Sequence, residues 1–369
     1  MNRLFRWDQM GLFLLALAAG ILPFAVPEVC AAALREGLTL CSGPLLLSLF
    51  PFLVVSRLLI QCPESDLLAL PFRLAAWGIG IRRPCAARVL CIGFLGGFAP
   101  AASAAAQAVR TGQLTAEEAD ALLPACICSG PSFVVLTVGQ SLLGSAELGV
   151  LLFAAQITAN YLTAALLNRF AGVRSVKPGS AVPAFPAPPR LDEILADAAI
   201  TYCKLCGFIL FFRLLAAGAG ALLPAGAGTL CSILLEVCSG CDLASRTGRW
   251  GSLLCCAALS VQGLSVLLQV RTICPPEMTL RPLYRARMLH LPLSLALFYL
   301  LLPGGEADVF STLPARVLLM RRVPPDCALL VFAGCCMAAC TLRSGIRQVE
   351  QKQMARNAGG CCINSKTLL

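Results

Sequence analysis

Histidine is almost absent from this sequence, and few of its residues carry a charge. The 369 residues include one histidine, His290, and 13% of them are charged. A Ser-His nucleophile or a zinc site of the His-Glu-x-x-His type requires histidines at defined spacings, which this chain lacks. A Ser-Lys pair would require Lys204 to lie beside a motif serine, and the spacing gives no sign of it. We therefore expect no enzyme, no catalytic residue, no metal site and no cofactor.

Long apolar stretches make up most of the sequence. Hydrophobic residues make up 58% of the chain, above the average for soluble domains. Stretches of roughly 17 to 25 apolar residues are long enough to cross a bilayer. Such stretches occupy 10–26, 38–60, 89–109, 148–168 and 250–270. Shorter or interrupted ones occupy 121–146, 198–212, 214–235, 288–302 and 327–342. The sequence predicts an all-α polytopic membrane protein with seven to nine crossings, some elements being re-entrant hairpins.

The net charge of +10 lies in short arginine clusters between the apolar stretches. Such clusters mark cytoplasmic loops beside anionic lipid, so the expected partner is the lipid bilayer and not nucleic acid.

The 21 cysteines include two Cys-x-x-Cys pairs, at 203–206 and 238–241. Most of the other cysteines lie in apolar runs, where a thiol packs as a small hydrophobic group. Packing is therefore favoured over a metal site.

A proline-rich segment divides the chain. Five prolines between 178 and 189 preclude helix and favour an extended linker outside the membrane. The predicted domains are an N-terminal membrane half at 1–171, the linker at 172–190, a C-terminal membrane half at 191–345 and a polar basic tail at 346–369. Each membrane half is expected to contain one copy of a repeat.

Each half contains apolar stretches whose helices are expected to break. Ser129-Gly130-Pro131 interrupts the uncharged run 121–146, because proline removes a backbone donor and glycine weakens the helix. Gly263 interrupts 250–270 in the second half. Paired broken helices in two halves of a membrane protein indicate a substrate site near the bilayer midplane. The candidate substrate-binding residues are Gly96, Gly97, Ser129, Gly130, Pro131, Ser239, Gly240, Gly263, Ser265 and Gln269.

Glu236 is the acid of greatest interest, because 230–241 is otherwise uncharged and an ionisable group at membrane depth is usually functional. It is a candidate to bind a coupling cation, to be protonated or to form a structural pair. The alternative is an interfacial position, because Asp242 and Arg246 follow within two turns. Amides on apolar faces, such as Gln262, either line a pathway or hydrogen-bond one helix to another, and the second interpretation is favoured for each one.

Several spaced motifs resemble the YlbJ-type sporulation integral membrane proteins. They are Leu-Phe-Pro-Phe at 49–52, Ser-Arg-Leu-Leu at 56–59, Gly-Gln-Leu-Thr-Ala-Glu-Glu-Ala at 112–119, Ser-Gly-Pro at 129–131, Leu-Glu at 235–236 with Gly240, Gly-Leu-Ser-Val at 263–266 with Gln269, and Ala-Arg-Met-Leu-His at 286–290. The match covers roughly residues 32–302. Two positions depart from it: Gly-Gly-Phe-Ala-Pro-Ala at 96–101 replaces Ser-Gly-Tyr-Pro-x-Gly, and Ile127-Cys128 replaces two asparagines.

The resemblance implies a nucleoside-recognition, or gate, domain with two inverted repeats like those of concentrative nucleoside transporters. It implies transport of a small anionic substrate, dipicolinate, across the mother-cell-derived outer forespore membrane during endospore formation. Half-helix N-termini at Ser129-Gly130 and Ser239-Gly240, or near Gly263, would offer N–H groups to the anion. The alternatives are a nucleoside transporter and a non-transporting membrane protein needed for spore maturation.

Overall fold

The computed structural model describes residues 2–62, 65–171 and 190–302, and every regular element in these ranges is a helix. The first half contains α1 Asn2–Ala25, α2 Pro27–Ser42, α3 Pro44–Gln61, α4 Ser65–Leu68, α5 Leu70–Ile79, α6 Pro84–Gly96, α7 Phe98–Arg110, α8 Ala116–Cys126, a π-helix Ser132–Leu142 and α9 Ala146–Ala171. The second half contains α10 Leu191–Leu222, α11 Ala225–Leu235, α12 Val237–Ser245, a 3-10 turn Gly248–Trp250, α13 Gly251–Val261, α14 Gly263–Ile273 and α15 Arg281–Leu301.

Four helical stretches are long and apolar enough to cross a membrane. They are Pro27–Gln61, Ala146–Ala171, Leu191–Leu222 and Gly248–Ile273. The first combines α2 and α3, which meet at Gly43, and the last combines the 3-10 turn with α13 and α14. These stretches confirm the all-helical class and fit a polytopic membrane protein. The expected total of seven to nine crossings stays a prediction.

Three of the expected apolar stretches differ from the structure. The stretch 89–109 is two short helices, α6 and α7, which meet at Gly97 and pack against each other. Conversely, 198–212 and 214–235 do not separate at Arg213, because α10 continues through it to Leu222. The Arg213 guanidinium pairs with Glu36 at 2.8 Å, so the charge is neutralised within an unbroken helix. The stretch 327–342, the linker and the basic tail lie outside the described residues, apart from Arg190.

Small residues let the central helices approach closely. α7 presents seven buried alanines to its neighbours, at positions 99, 101, 102, 104, 105, 106 and 108. The π-helix packs on α9 where Gly139 faces Gly149, and a Cβ on Gly139 would lie 2.4 Å from the Gly149 Cα. Close backbone approach of this kind replaces the hydrophobic effect as the source of packing energy between helices in lipid.

Asp120 fixes the start of α15. Its carboxylate, on α8, accepts hydrogen bonds from the Thr279 backbone N–H and hydroxyl at 2.8 and 2.7 Å and from the Leu280 N–H at 3.1 Å. The anion also lies at the positive end of the helix dipole. This anchor sets the position of α15, whose Arg287 and His290 are buried inside the bundle.

Candidate substrate site

The first helix interruption lies where Ser-Gly-Pro predicts it. α8 ends at Cys126, residues 127–130 are non-helical, and helical structure resumes from Pro131. Gly97, at the turn between α6 and α7, lies directly against this break. Its φ is +81°, and a Cβ there would lie 2.7 Å from the Gly130 nitrogen. Only glycine allows the two backbones to meet in this way, so Gly97 and Gly130 form one structural unit.

The second interruption repeats this arrangement. α13 ends at Val261, Gln262 adopts a left-handed conformation with φ 62°, and α14 begins at Gly263. A Cβ on Gly263 would lie 2.9 Å from the Glu236 nitrogen, at the turn between α11 and α12. In each half, therefore, the turn of a helix pair lies against the break of the following interrupted helix.

Glu236 caps a helix in this structure. It is 2% exposed, and its two carboxylate oxygens accept from the Cys238 and Ser239 N–H groups at 2.8 and 2.7 Å. The break consequently lies at Glu236, three residues before the expected position at Ser239. Because the carboxylate already occupies these N–H groups, the start of α12 does not present them to an anion. Gly240 is a packing residue, since a Cβ there would lie 2.8 Å from the Ile233 Cα.

Replacing Glu236 by glutamine tests this capping role. Glutamine presents one amide oxygen and no charge, so one of the two N–H groups loses its acceptor. We expect the thermal stability of the purified protein to fall by about 1 kcal/mol, the usual cost of a lost cap. Asp242→Asn is the control, because its ion pair with Arg246 is partly exposed and contributes little. An unchanged melting temperature combined with altered cation dependence of uptake would instead assign Glu236 to coupling.

The two interruptions meet at the Ile127 carbonyl. Three side chains donate to this oxygen: Gln262 Nε2 at 3.2 Å, Asn160 Nδ2 at 3.4 Å and Arg287 Nη2 at 2.6 Å. Gln262 belongs to the second break, so the two halves contact each other directly here. Arg287 was not among the predicted site residues. The signal for it in the sequence was the Ala-Arg-Met-Leu-His motif at 286–290, since an arginine cluster such as 281–287 otherwise suggests a loop.

A polar cavity of about 150 Å³ lies between α3, α7, α10 and α14. Three cations, Arg57, Arg110 and Lys204, line it together with one carboxylate, Asp197. Arg57 and Asp197 form an ion pair across it. The cations outnumber the acid, so the cavity favours an anion. Because these residues come from separate helices, the sequence pattern did not reveal them as a group.

Two buried polar groups extend this cavity toward the interruptions. The Ser103 hydroxyl and the Gln269 Oε1 have no hydrogen-bond partner, and both residues are 2% exposed. The Gln269 amide nitrogen donates to the Ser265 hydroxyl at 2.9 Å, which ties two predicted site residues together. Unpaired polar atoms in a buried cavity are costly unless a ligand or water satisfies them. Of the two atoms, the Ser103 hydroxyl can donate to an anion, whereas the Gln269 Oε1 only accepts and suits a donor such as water.

A wider recess of about 740 Å³ adjoins the cavity and shares Arg110, Thr272 and Ile273 with it. α7 and α14 each start at a turn or break and end where the cavity adjoins the recess.

The predicted residues fall into three groups. Gly96, Gly97, Ser129, Gly130 and Pro131 surround the first break, and Glu236, Ser239, Gly240 and Gly263 surround the second. Gln269 lines the cavity, and Ser265 accepts a hydrogen bond from it.

Over the described residues, these features define a helical protein with four helices long and apolar enough to span a membrane, interrupted helices at its centre and a cationic cavity beside them. Comparison with known proteins adds no relative: no family model, no curated protein and no solved structure matches the chain. The resemblance of its motifs to the sporulation membrane proteins therefore stays an expectation.

Proposed function

We propose that this protein is a membrane transporter of a small anionic metabolite. The cavity between α3, α7, α10 and α14 carries the proposal, because it combines an excess of cationic side chains with the unpaired Ser103 hydroxyl, which can donate a hydrogen bond. Anions bind where positive charge and hydrogen-bond donors converge in a partly enclosed site. The neighbouring breaks supply helix segments that can shift relative to one another, as alternating access requires.

The order of the helices supports two inverted repeats of the gate type. One unit runs through α3, the packed pair α6 and α7, the interrupted α8 and π-helix, and α9. The other runs through α10, the packed pair α11 and α12, the interrupted α13 and α14, and α15. Packing between the units is reciprocal, since α7 contacts α14 and α12 contacts the π-helix. Reciprocal packing of this kind is expected from the resemblance to concentrative nucleoside transporters.

Dipicolinate is the proposed cargo, moved across the outer forespore membrane during endospore formation. It is a small dianion, and its two carboxylates match a cavity that contains more than one cation. A nucleoside is the second candidate, favoured by the gate resemblance, but it is uncharged and gains less from Arg57, Arg110 and Lys204. A non-transporting role in spore maturation does not account for the excess of cationic side chains that line the cavity.

Uptake into proteoliposomes containing the purified protein tests the proposal. Labelled dipicolinate is supplied outside, and uridine serves both as a competitor and as a parallel substrate. We expect saturable dipicolinate entry that uridine leaves unchanged. Uridine entry would move the assignment to nucleosides. Entry of neither compound, with the protein correctly inserted, would contradict transport of these two classes.

A further inference from the structure

Two helix ends of the same polarity meet at the centre of the protein. α8 ends at Cys126 and α13 ends at Val261, each at an interruption. The last carbonyls of a helix have no intrahelical partner, and they carry the negative end of the helix dipole. In transporters built from broken helices, such carboxyl ends and unwound carbonyls coordinate the coupling sodium ion or proton. This crossing therefore has the electrostatic character of a cation site.

Arg287 occupies the crossing. Its Nη2 donates to the Ile127 carbonyl, just beyond α8, at 2.6 Å, and its Nη1 donates to the Ser260 carbonyl in the last turn of α13 at 3.3 Å. The residue is 8% exposed. One guanidinium thus bridges a helix end from each half of the chain, which the planar fork of arginine allows.

The Ile127 oxygen has little capacity left for another ligand. Gln262 and Asn160 donate to it at 3.2 and 3.4 Å in addition to Arg287. A carbonyl oxygen has two lone pairs, so three donors saturate it. A metal ion at this point would have to displace these donors and would also face the positive charge of the guanidinium.

The charge of Arg287 is balanced by these helix ends and not by an acid. Within residues 2–62, 65–171 and 190–302, Arg287 forms no ion pair with a carboxylate. Glu236, whose backbone lies against Gly263 at the second break, uses both carboxylate oxygens to cap α12. The carboxyl ends of two half-helices, each equivalent to a partial negative charge, are what remains to stabilise the guanidinium.

We propose that Arg287 is a tethered cation that takes the place of a mobile coupling cation at this crossing, so that the protein works without sodium coupling there. Arg287 is a positioning residue: it holds the two interrupted helices together and does not contact the cavity. This inference rests on the proposed transport function. Its test measures protein stability, so the result does not depend on whether uptake is observed.

The first measurement is the melting temperature of the purified wild-type protein in detergent. Sodium chloride, potassium chloride and choline chloride are compared at equal ionic strength. We expect the three melting temperatures to agree, because the cation position is already filled. A higher melting temperature specific to sodium would overturn the proposal.

The second measurement empties the position with Arg287→Ala and compares Arg285→Ala, which removes an exposed arginine from the same helix. We expect the melting temperature of the Arg287 variant to rise by about 5 °C when millimolar guanidinium or sodium fills the vacated carbonyls. The Arg285 variant should show no such rise. A folded Arg287→Ala protein that responds to no cation would contradict the inference.

Arg287→Lys covers the case in which the alanine variant does not fold. Lysine keeps the positive charge, but its compact ammonium group can bind one carbonyl closely and cannot bridge the Ile127 and Ser260 carbonyls as a guanidinium does. We expect this variant to fold with a lower melting temperature and to remain indifferent to sodium. A lysine variant that sodium stabilises would show that the site still takes a mobile cation, against the proposal.

Discussion

The double variant Arg110→Gln with Lys204→Gln removes two cations from the cavity. It is expected to lower the efficiency of dicarboxylate uptake, meaning the maximal rate divided by KM, by roughly 10- to 100-fold. A hydrogen bond to a charged group contributes about 1.5–3 kcal/mol, and exposure of both side chains reduces this to about 1 kcal/mol each. Every 1.4 kcal/mol corresponds to about a tenfold change. The measurement is the initial rate of labelled dipicolinate uptake as a function of concentration.

The control for this prediction removes the same charge elsewhere. Arg281 and Arg285 are exposed residues of α15 that do not line the cavity, so Arg281→Gln with Arg285→Gln should leave uptake within about twofold of wild type. The effect of the cavity pair should also shrink at high ionic strength, because salt screens exposed charges. An equal loss in both double variants would mean that net charge, and not the cavity, governs uptake.

Gly97→Ala is expected to destabilise the protein by about 2–6 kcal/mol. The φ of +81° with ψ of −163° lies in a region used almost only by glycine, where a side chain costs about 1–3 kcal/mol. The new Cβ would also lie 2.7 Å from the Gly130 nitrogen, and forcing extra volume into a packed site adds about 1–3 kcal/mol. The clash lies between two backbones, so no side-chain rotation relieves it. Thermal unfolding of the purified variant measures the loss.

Gly144 provides the matched control. It also has a positive φ, +72°, but no atom lies within 4 Å of the position that a Cβ would occupy. Gly144→Ala should therefore cost only about 1 kcal/mol, the strain of the left-handed backbone. Similar losses in the two variants would show that the contact between Gly97 and Gly130 does not hold the first break in place.

The interruptions themselves were predictable, and their exact surroundings were not. Proline and glycine inside an uncharged apolar run disrupt a helix wherever it packs, so Ser129-Gly130-Pro131 marked its break from the sequence alone. The turn at Glu236 was expected three residues later, at Ser239-Gly240. Its position depends on a carboxylate folding back onto two N–H groups, which is a matter of local geometry and not of composition.

Ile127 and Cys128, which replace two asparagines of the resembled family, show that side chains alone do not reveal every polar group of a site. The sequence suggests that these apolar residues remove polar groups from the site. In the structure the polar group is the Ile127 backbone carbonyl, which accepts from three side chains. Every residue has this carbonyl, so no residue type signals it. Only the end of α8 and the approach of α15 make it available.

The sequence by itself determined the class of the protein and the breaks at Ser129-Gly130-Pro131 and Gly263. Hydrophobicity over spans of bilayer length requires helices, because lipid offers no partners for backbone groups, and proline with glycine ends those helices locally. The tertiary structure alone decided which groups meet. Arg57, Arg110, Lys204 and Gln269 share a cavity, and Arg287 bridges two helix ends, because packing of small residues brings together helices that are far apart in the chain.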